Sequence, residues 1–503
     1  MNRVAHKISL SQINGKEYII PETIDDQANI DKFLASNKGK KVVVVQGLGF
    51  VGAVMSLVCA NALTEEYAVV GIDLPSPASY WKIQSINEGV FPVIASDPKI
   101  EEFYRISRKK GNLYATFDPY VYSKADVIIV DINLDVQKKS NFHRDLEGYD
   151  VTLDGFKKAM HSVGQHCKED VLLLVETTVP PGTCQKIVAP IITSCFEKRD
   201  LPSDRFKLGH SYERVMPGPT YIDSIQNFYR VYSGINEVSA DATEAFLRTI
   251  ISTEKYPLSR LGNTTATEMA KVLENSYRAM NIAFAQEWSR FAEEAGVNIY
   301  EVVNAIRMRP THANLMLPGI GVGGYCLTKD PLLASWAKVN LFDSAEPLTQ
   351  SEKGVMINDK MPLFAFDFLK KHFGSNFKGA NILLLGVSYR SDVGDTRYTP
   401  VEPLFDFLEA EGAIIFTHDP YVTLWEEKNI SVAQDLIKVF EGNYDIIIFS
   451  TGHVEYKNNQ VLIDKIKNQK NILVFDTIGI LSNDEISSIK ENHKIIVLGR
   501  GDI

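Results

Sequence analysis

Val42-Val-Val-Val-Gln-Gly47-Leu48-Gly49-Phe50-Val51-Gly52 decides the fold: a run of β-branched residues feeds directly into a GxGxxG turn. Valines without polar alternation are the pattern of a strand buried on both faces. In the turn, Gly47 permits the reversal, Gly49 lets backbone approach a pyrophosphate, and Gly52 lets helix and strand pack closely. A helix opening at Phe50 and Val51 then points its N–H groups and positive dipole end at the negative charge. The next apolar run ends in Gly71-Ile72-Asp73, which places Asp73 21 residues after Gly52. A carboxylate there accepts hydrogen bonds from ribose hydroxyls and repels a 2′-phosphate, so the pattern predicts NAD rather than NADP. The competing interpretation is a glycine turn in an unrelated α/β protein, with Asp73 an ordinary loop acid. Even the full pattern implies only dinucleotide binding and leaves the chemistry open.

Outward from this stretch, similar aliphatic bursts recur at Val127–Val130 and Val171–Val175. They return at Ile382–Leu385, Ile414–Phe416, Ile446–Phe449, Ile472–Phe475 and Ile495–Leu498. Alternating with helical segments, they predict two blocks of doubly wound parallel sheet. Between the blocks no proline occurs from Leu258 to Arg309, and residues 262–308 predict long helix. The chain is therefore expected to be α/β, then helical, then α/β, with no evident sequence repeat between the two sheet blocks. Residues 1–39 are polar and weakly patterned, and are expected to form an extension packed on the first domain.

The 503 residues carry a formal net charge of −10, which favours neither a nucleic acid nor an anionic membrane as partner. The five cysteines (59, 167, 184, 195 and 326) form no CxxC pair. That usage fits a reducing compartment, with no disulfide framework and no metal site. With no signal peptide or membrane-length apolar run in evidence, the expected location is cytoplasmic.

One cysteine stands apart. In Pro318-Gly-Ile-Gly321-Val-Gly323-Gly324-Tyr325-Cys326-Leu-Thr-Lys329-Asp330 it follows a glycine-rich loop. Such a loop leaves room for substrate against backbone, and a thiolate is intrinsically nucleophilic. Asp330, four residues on, is a candidate base for water. The bland alternative is a small packed cysteine. On the central helix Lys271 and Asn275 are one turn apart and share a face, a pairing suited to stabilising an oxyanion. Taken alone, Lys271 is more often a solvated lysine paired with Glu268 or Glu274.

Together these residues resemble the nucleotide-sugar 6-dehydrogenase family, which includes UDP-glucose, GDP-mannose and UDP-N-acetylhexosamine dehydrogenases. The resemblance spans essentially residues 40–503. It also rests on Glu176-Thr-Thr178-Val-Pro-Pro-Gly182-Thr183, Ser211-Tyr-Glu213-Arg-Val-Met-Pro-Gly218 and Glu268-Met-Ala-Lys271-Val-Leu-Glu-Asn275. In the last domain, Leu385-Gly-Val-Ser-Tyr-Arg390-Ser-Asp-Val-Gly-Asp395-Thr-Arg397 and His418-Asp419-Pro420 match too. The resemblance implies two Rossmann-like domains joined by a central long-helix dimerisation domain, in a homodimer or higher homo-oligomer. The layout would be an extension (1–39), an NAD-binding domain (40–233), a central domain with the cysteine loop (234–372) and a UDP-sugar-binding domain (373–503). It further implies four-electron oxidation of a UDP-sugar C6 hydroxyl with two NAD molecules. Cys326 would form a thiohemiacetal and then a thioester.

The same resemblance gives Asp330, Thr178 and Glu213 the ordering or activation of water, and Lys271 and Asn275 the stabilisation of oxyanions. Gly47, Gly49, Phe50, Val51, Gly52, Asp73 and Thr178 would hold the cofactor, and Arg397 would reach its phosphates. Glu213, Lys271, Asn275, Gly323, Gly324, Tyr325 and Arg390 would contact the substrate. Simple structural roles compete: Thr178 as a turn residue, Glu213 paired with Arg214, Arg397 as a surface salt bridge. There are departures. Leu134 replaces a threonine in the segment Asp131-Ile-Asn133-Leu134-Asp135, Tyr212 replaces a proline before Glu213, and Arg390 replaces a lysine. Gly323-Gly-Tyr-Cys326, Glu213-Arg-Val and Pro217 resemble the UDP-N-acetylhexosamine branch more than the UDP-glucose branch. His312 and Asn314, with Arg307 and Arg309, are further candidates for sugar or nucleotide contact. Three alternatives remain: a UDP-glucose dehydrogenase, a non-catalytic nucleotide-sugar binder, and a two-electron hydroxyacid-type dehydrogenase lacking the second α/β domain.

Overall fold

The computed structural model describes residues 7–93, 95–215 and 218–503. The chain divides into two compact units. The first comprises the chain to Asp135, Val151–Val272 and Asn340–Asp343; the second comprises Val136–Asp150, Leu273–Val339 and Ser344–Ile503.

The first unit is built on a sheet of eight strands: β1 (Lys41–Gln46), β2 (Tyr67–Ile72), β3 (Leu113–Thr116), β4 (Val127–Val130), β5 (Leu172–Val175), β6 (Lys207–His210), β7 (Val231–Gly234) and β8 (Ser259–Arg260). Their order is 8-7-6-5-4-1-2-3. Strands β1 to β6 run parallel, and β7 joins β6 antiparallel. The six parallel strands thus have the 3-2-1-4-5-6 order of a dinucleotide-binding sheet, with its switch point between β1 and β4. The valines of β1 are buried on both faces, as their lack of alternation requires. Helix α1 (Phe50–Ala60) starts at the glycine turn and buries nine of its eleven residues. In the N-terminal extension, Ile8–Leu10 and Glu17–Ile19 pair antiparallel. The extension is tied to the unit by Asp26, whose carboxylate accepts from Tyr114 Oη at 2.8 Å and Thr116 Oγ1 at 2.6 Å.

The second unit holds five parallel strands, β9 (Asn381–Leu385), β10 (Ile414–His418), β11 (Ile446–Phe449), β12 (Leu473–Asp476) and β13 (Lys494–Val497), in the order 10-9-11-12-13. This 2-1-3-4-5 order is doubly wound as well, with its switch point between β9 and β11. A two-electron hydroxyacid-type enzyme would lack this second sheet. A pair of strands, Val136–Ser140 and Leu146–Val151, leaves the first sheet and packs within the second unit through Lys138–Asp359 (2.7 Å) and the Phe142 and Phe407 rings (5.3 Å).

Helix α2 (Thr264–Ala295) is 32 residues long. It ends where Gly296 turns left-handed (φ 71°), and Asn298 caps α3 (Ile299–Arg307) by accepting from Tyr300 and Glu301 N–H. The predicted 262–308 stretch is thus two helices around a glycine. Helices α4 (Asp330–Asn340) and α5 (Thr349–Phe373) complete the middle of the chain. Among the described residues, no helix is long and apolar enough to cross a membrane.

Candidate active site

In the first unit, Gly47 has φ +95°, and a Cβ at Gly52 would collide with the Gly47 carbonyl oxygen. Around Gly49 the space that a Cβ would occupy is open. Gly49 is the N-cap of α1 and makes no side-chain cap hydrogen bond to the first turn of the helix. Asp73 follows β2, and its Oδ2 accepts from Leu48 N–H at 2.9 Å while Oδ1 accepts from Leu74 N–H at 2.7 Å. The acid expected to meet the ribose therefore also braces the glycine turn. An NAD diphosphate fits this cradle: backbone donors, a helix N-terminus and room above Gly49.

Thr178, just after β5, is half-buried. The turn expected to occupy it is instead closed by Thr183, whose Oγ1 donates to Pro180 O at 2.6 Å. Glu268, fully buried on α2, accepts from Gly182 N–H (2.5 Å) and Cys184 N–H (2.7 Å), and burial lifts its carboxyl to about 7. That removes Glu268 as a partner for Lys271. Lys271 is 8% exposed and donates to Glu213 O at 2.9 Å, with its ammonium 5.5 Å from the Tyr212 ring. It is not a solvated surface lysine. The Glu213 carboxylate accepts from Val215 N–H, and Arg214 turns away to Tyr229 O and Tyr212 Oη. Pro217, part of the branch resemblance, lies outside the described residues.

In the second unit, Cys326 is exposed while the other four cysteines are buried. Its carbonyl accepts from Asp330 N–H at 2.9 Å, which places the thiol residue one turn before α4. Asp330 is fully buried and held at both oxygens, by Lys329 Nζ at 2.9 Å and by Asn275 Nδ2 at 2.6 Å. Lys271 and Asn275, one turn apart on α2, thus serve different partners in this state. Lys329 was quoted in the sequence motif but assigned no role; here it neutralises Asp330 and lies 4.8 Å from the Tyr325 ring.

The glycines before Cys326 are there because another segment is close. A Cβ at Gly323 would sit 2.6 Å from Tyr389 Cβ, and one at Gly324 (φ +76°) would sit 2.8 Å from the Tyr389 ring. Tyr325 packs on Tyr398, with ring centroids 5.6 Å apart. The segment after β9 therefore forms the bed of the cysteine loop. It carries Arg390, which is exposed, and Arg397, which is fork-paired with Asp395 at 2.7–3.2 Å. Burial and the neighbouring Asp395, with Cys326 among the lesser causes, raise the Tyr389 phenol. His312 is exposed and bonded to Thr311, Asn314 donates to Tyr277 Oη, and Arg307 donates to Leu315 O.

Two buried groups were given no role by the sequence analysis. One is Asp131, Glu176 and Arg230 at the end of the first sheet. The other is Asp419 with His453 at the end of the second, 3.1 Å apart. The signal for the first was a carboxylate flush against the last apolar residue of a strand, as in Val130-Asp131 and Val175-Glu176.

A double doubly wound architecture with a dinucleotide turn and an exposed cysteine between glycines and a buried acid defines a nucleotide-sugar dehydrogenase type of molecule. Family models match in order along the chain. They are the NAD binding domain of the UDP-glucose/GDP-mannose dehydrogenase family (residues 40–251), its central domain (265–352) and its UDP binding domain (383–483). The chain belongs to the UDP-glucose/GDP-mannose dehydrogenase family, and NAD is its cofactor. It is 30% identical over 472 residues to the UDP-N-acetyl-D-mannosamine dehydrogenase of Pyrococcus horikoshii, covering 92% of this chain and all of that one. With the enzyme of the same name from Methanocaldococcus jannaschii it shares 30% over 475 residues, covering 92% and 97%. The solved structure of the Pyrococcus UDP-D-ManNAc dehydrogenase superposes with a TM-score of 0.75 at 28% identity, covering 92% and 100%.

Proposed function

We propose that the protein oxidises the C6 hydroxyl of a UDP-N-acetylhexosamine to the carboxylate, with UDP-N-acetylmannosamine the favoured sugar. The observation that carries this is the exposed Cys326, set one helical turn before a buried Asp330 that Lys329 and Asn275 hold in place. The choice of sugar rests on the likeness to the two UDP-N-acetyl-D-mannosamine dehydrogenases and on the Gly323-Gly-Tyr-Cys326 and Glu213-Arg-Val segments.

NAD, when bound, supplies the hydride acceptor for each of the two oxidations. The chain's own residues do the rest. Loss of a hydride and a proton turns the alcohol into an aldehyde, and the Cys326 thiolate adds to its carbon to give a thiohemiacetal. Loss of a second hydride leaves a thioester, which water cleaves to the acid and free thiolate. Covalent capture keeps the aldehyde from escaping. Lys271 and Asn275 stabilise the oxyanions, and Glu213 and Asp330, with Thr178, order the water and move its protons. Gly323, Gly324 and Tyr325 line the sugar, with Arg390 as a cation for the substrate and Arg397 for cofactor phosphate. For Arg397 that means exchanging its Asp395 partner.

Helix α2 also presents Met269, Leu273, Tyr277, Phe284, Trp288 and Phe291, all about half-exposed and spaced three, four or seven residues apart along one face. A second copy of the chain covers this stripe in the homodimer we propose.

The test counts NADH formed per UDP-sugar consumed, for wild type and Cys326→Ser. Wild type is expected to give two, with a preference for UDP-N-acetylmannosamine over UDP-glucose. The serine variant is expected to lose acid production by about a thousandfold or more. A ratio of one, or an active serine variant, rejects the covalent route; no turnover of any UDP-sugar favours a non-catalytic binder.

A further inference from the structure

Asp131 and Glu176 each stand one residue beyond the C-terminal end of neighbouring parallel strands. Val130 of β4 is paired with Val175 of β5, so the next residue on each strand brings the two carboxyl groups onto one face of the sheet. Adjacent strands lie about 4.8 Å apart. Glu176 Oε1 binds Arg230 Nη2 at 2.6 Å, with the two side chains 0% and 4% exposed. Glu176 Oε2, Arg230 Nε and both carboxyl oxygens of Asp131 have no hydrogen-bond partner among the described residues.

Among the described residues no second cation hydrogen-bonds to the pair. Glu213 follows β6, Cys59 lies on α1 and His210 ends β6. Burial pushes the Cys59 thiol well up and the His210 imidazole down to about 3, so neither is charged at neutral pH. Burial, reinforced by Glu176 and Glu213, drives the Asp131 carboxyl upward; burial lifts Glu176 to about 7 in spite of Arg230. Asp131 also borders the glycine turn. A Cβ at Gly52 would lie 3.2 Å from Asp131 Cβ, and one at Gly47 would lie 2.6 Å from the Asp131 carbonyl oxygen.

We propose that Asp131 and Glu176 hold one proton between them, and that NAD binding at the Gly47–Gly52 turn depends on that proton being in place. Two carboxylates this close in a dry interior do not both ionise. One carboxylate and Arg230 cancel. Losing the proton adds a net negative charge beneath the turn that receives a diphosphate, opposing the dipole of α1. By reciprocity, NAD binding takes up a proton wherever the pair is partly deprotonated. This rests on the reading that the dinucleotide lies over the turn, and it is independent of the chemistry at C6.

Calorimetric titration of the full chain with NAD alone, from pH about 6 to about 9 in buffers of different ionisation heat, reads both affinity and proton uptake. Wild-type affinity is expected to fall about tenfold as pH rises across this range, with fractional proton uptake on binding. Asp131→Asn and Glu176→Gln are each expected to flatten the affinity profile and abolish the uptake. A purely structural role would weaken binding equally at every pH. A flat wild-type profile, or a slope that survives in either variant that folds, overturns the proposal alone. Absence of NAD binding even at the acidic end overturns the reading of the turn as well, while the NADH-to-sugar ratio tests the C6 chemistry separately.

Discussion

Asp131 and Asp419 each stand one residue past the C-terminal end of a parallel strand, Asp131 beside the first sheet's switch point and Asp419 after the edge strand β10, and each is buried. Their surroundings differ. Asp419 accepts from Val387 N–H (2.9 Å), Ser388 N–H (3.0 Å) and His453 Nε2 (3.1 Å) at one oxygen, and from Tyr421 N–H (2.9 Å) at the other. Asp131 has no such donors among the described residues. Burial disfavours ionisation at both, yet His453 and the backbone N–H groups bring the Asp419 carboxyl below its usual range, while Asp131 is pushed above. Donors, not depth, decide the charge of a buried acid. The second sheet uses its aspartate to clamp backbone; the first keeps one in reserve.

The largest expected effect breaks the clamp. Asp419→Ala strands three backbone N–H groups and His453 in the interior, at a cost of about 3–5 kcal/mol. Asp131→Asn removes no hydrogen bond and is expected to change stability by under about 1 kcal/mol. Urea unfolding of both variants compares them directly. Equal losses would mean that Asp131 has partners after all, and the contrast between the two strand ends would vanish.

The same contrast marks what could be read from the sequence. Strands buried on both faces announce themselves: β1, β2, β4, β5 and all five strands of the second sheet fall on the aliphatic bursts. Strands β6 (Lys-Leu-Gly-His), β7 (Val-Tyr-Ser-Gly) and β8 (Ser-Arg) are too short and mixed for any periodicity, and the Val136–Val151 excursion is too polar. The glycine turn and the cysteine loop were legible because glycine has few other reasons to cluster. Hydrogen-bond partners were not. Asn275 and Asp330 are 55 residues apart, and only the docking of α4 on α2 joins them. Asp131 meets Glu176 through strand register, which a single sequence does not display.

A middle-sized effect separates the two acids by pH. Glu176, partner of Asp131, has a folded value near 7, above the ordinary 4.5, so its proton favours the folded state. Its contribution is complete below about 4.5 and is lost as pH rises through about 7. Asp419 behaves in the opposite sense: its folded value lies below the ordinary 3.8, so its contribution is present above that value and disappears as pH falls. Melting temperature against pH is therefore expected to lose its neutral-side slope in Glu176→Gln and its acid-side slope in Asp419→Asn. Interchanged slopes would reverse the assignment of which sheet end holds the proton.

The smallest expected effect tests how far the clamp reaches. Ser388 Oγ donates to Arg390 O at 3.1 Å and lies 3.2 Å from His453 Nε2, so it joins Asp419 to the segment bedding the cysteine loop. Asp392 N–H donates to His453 Nδ1 at 2.9 Å on the far side of the same ring. Ser388→Ala removes one link and leaves the others, for a loss of about 0.5–1.5 kcal/mol. Because Tyr389 lies against Gly323 and Gly324, slack here is transmitted to Cys326 by packing. Alkylation of Cys326 is thus expected to quicken by less than about tenfold, the rate equivalent of that loss. The matching change in the first unit, Asp131→Asn, is expected to leave the alkylation rate where it was. A Cys326 rate that ignores Ser388→Ala yet follows Asp131→Asn would place control of the thiol on the first sheet.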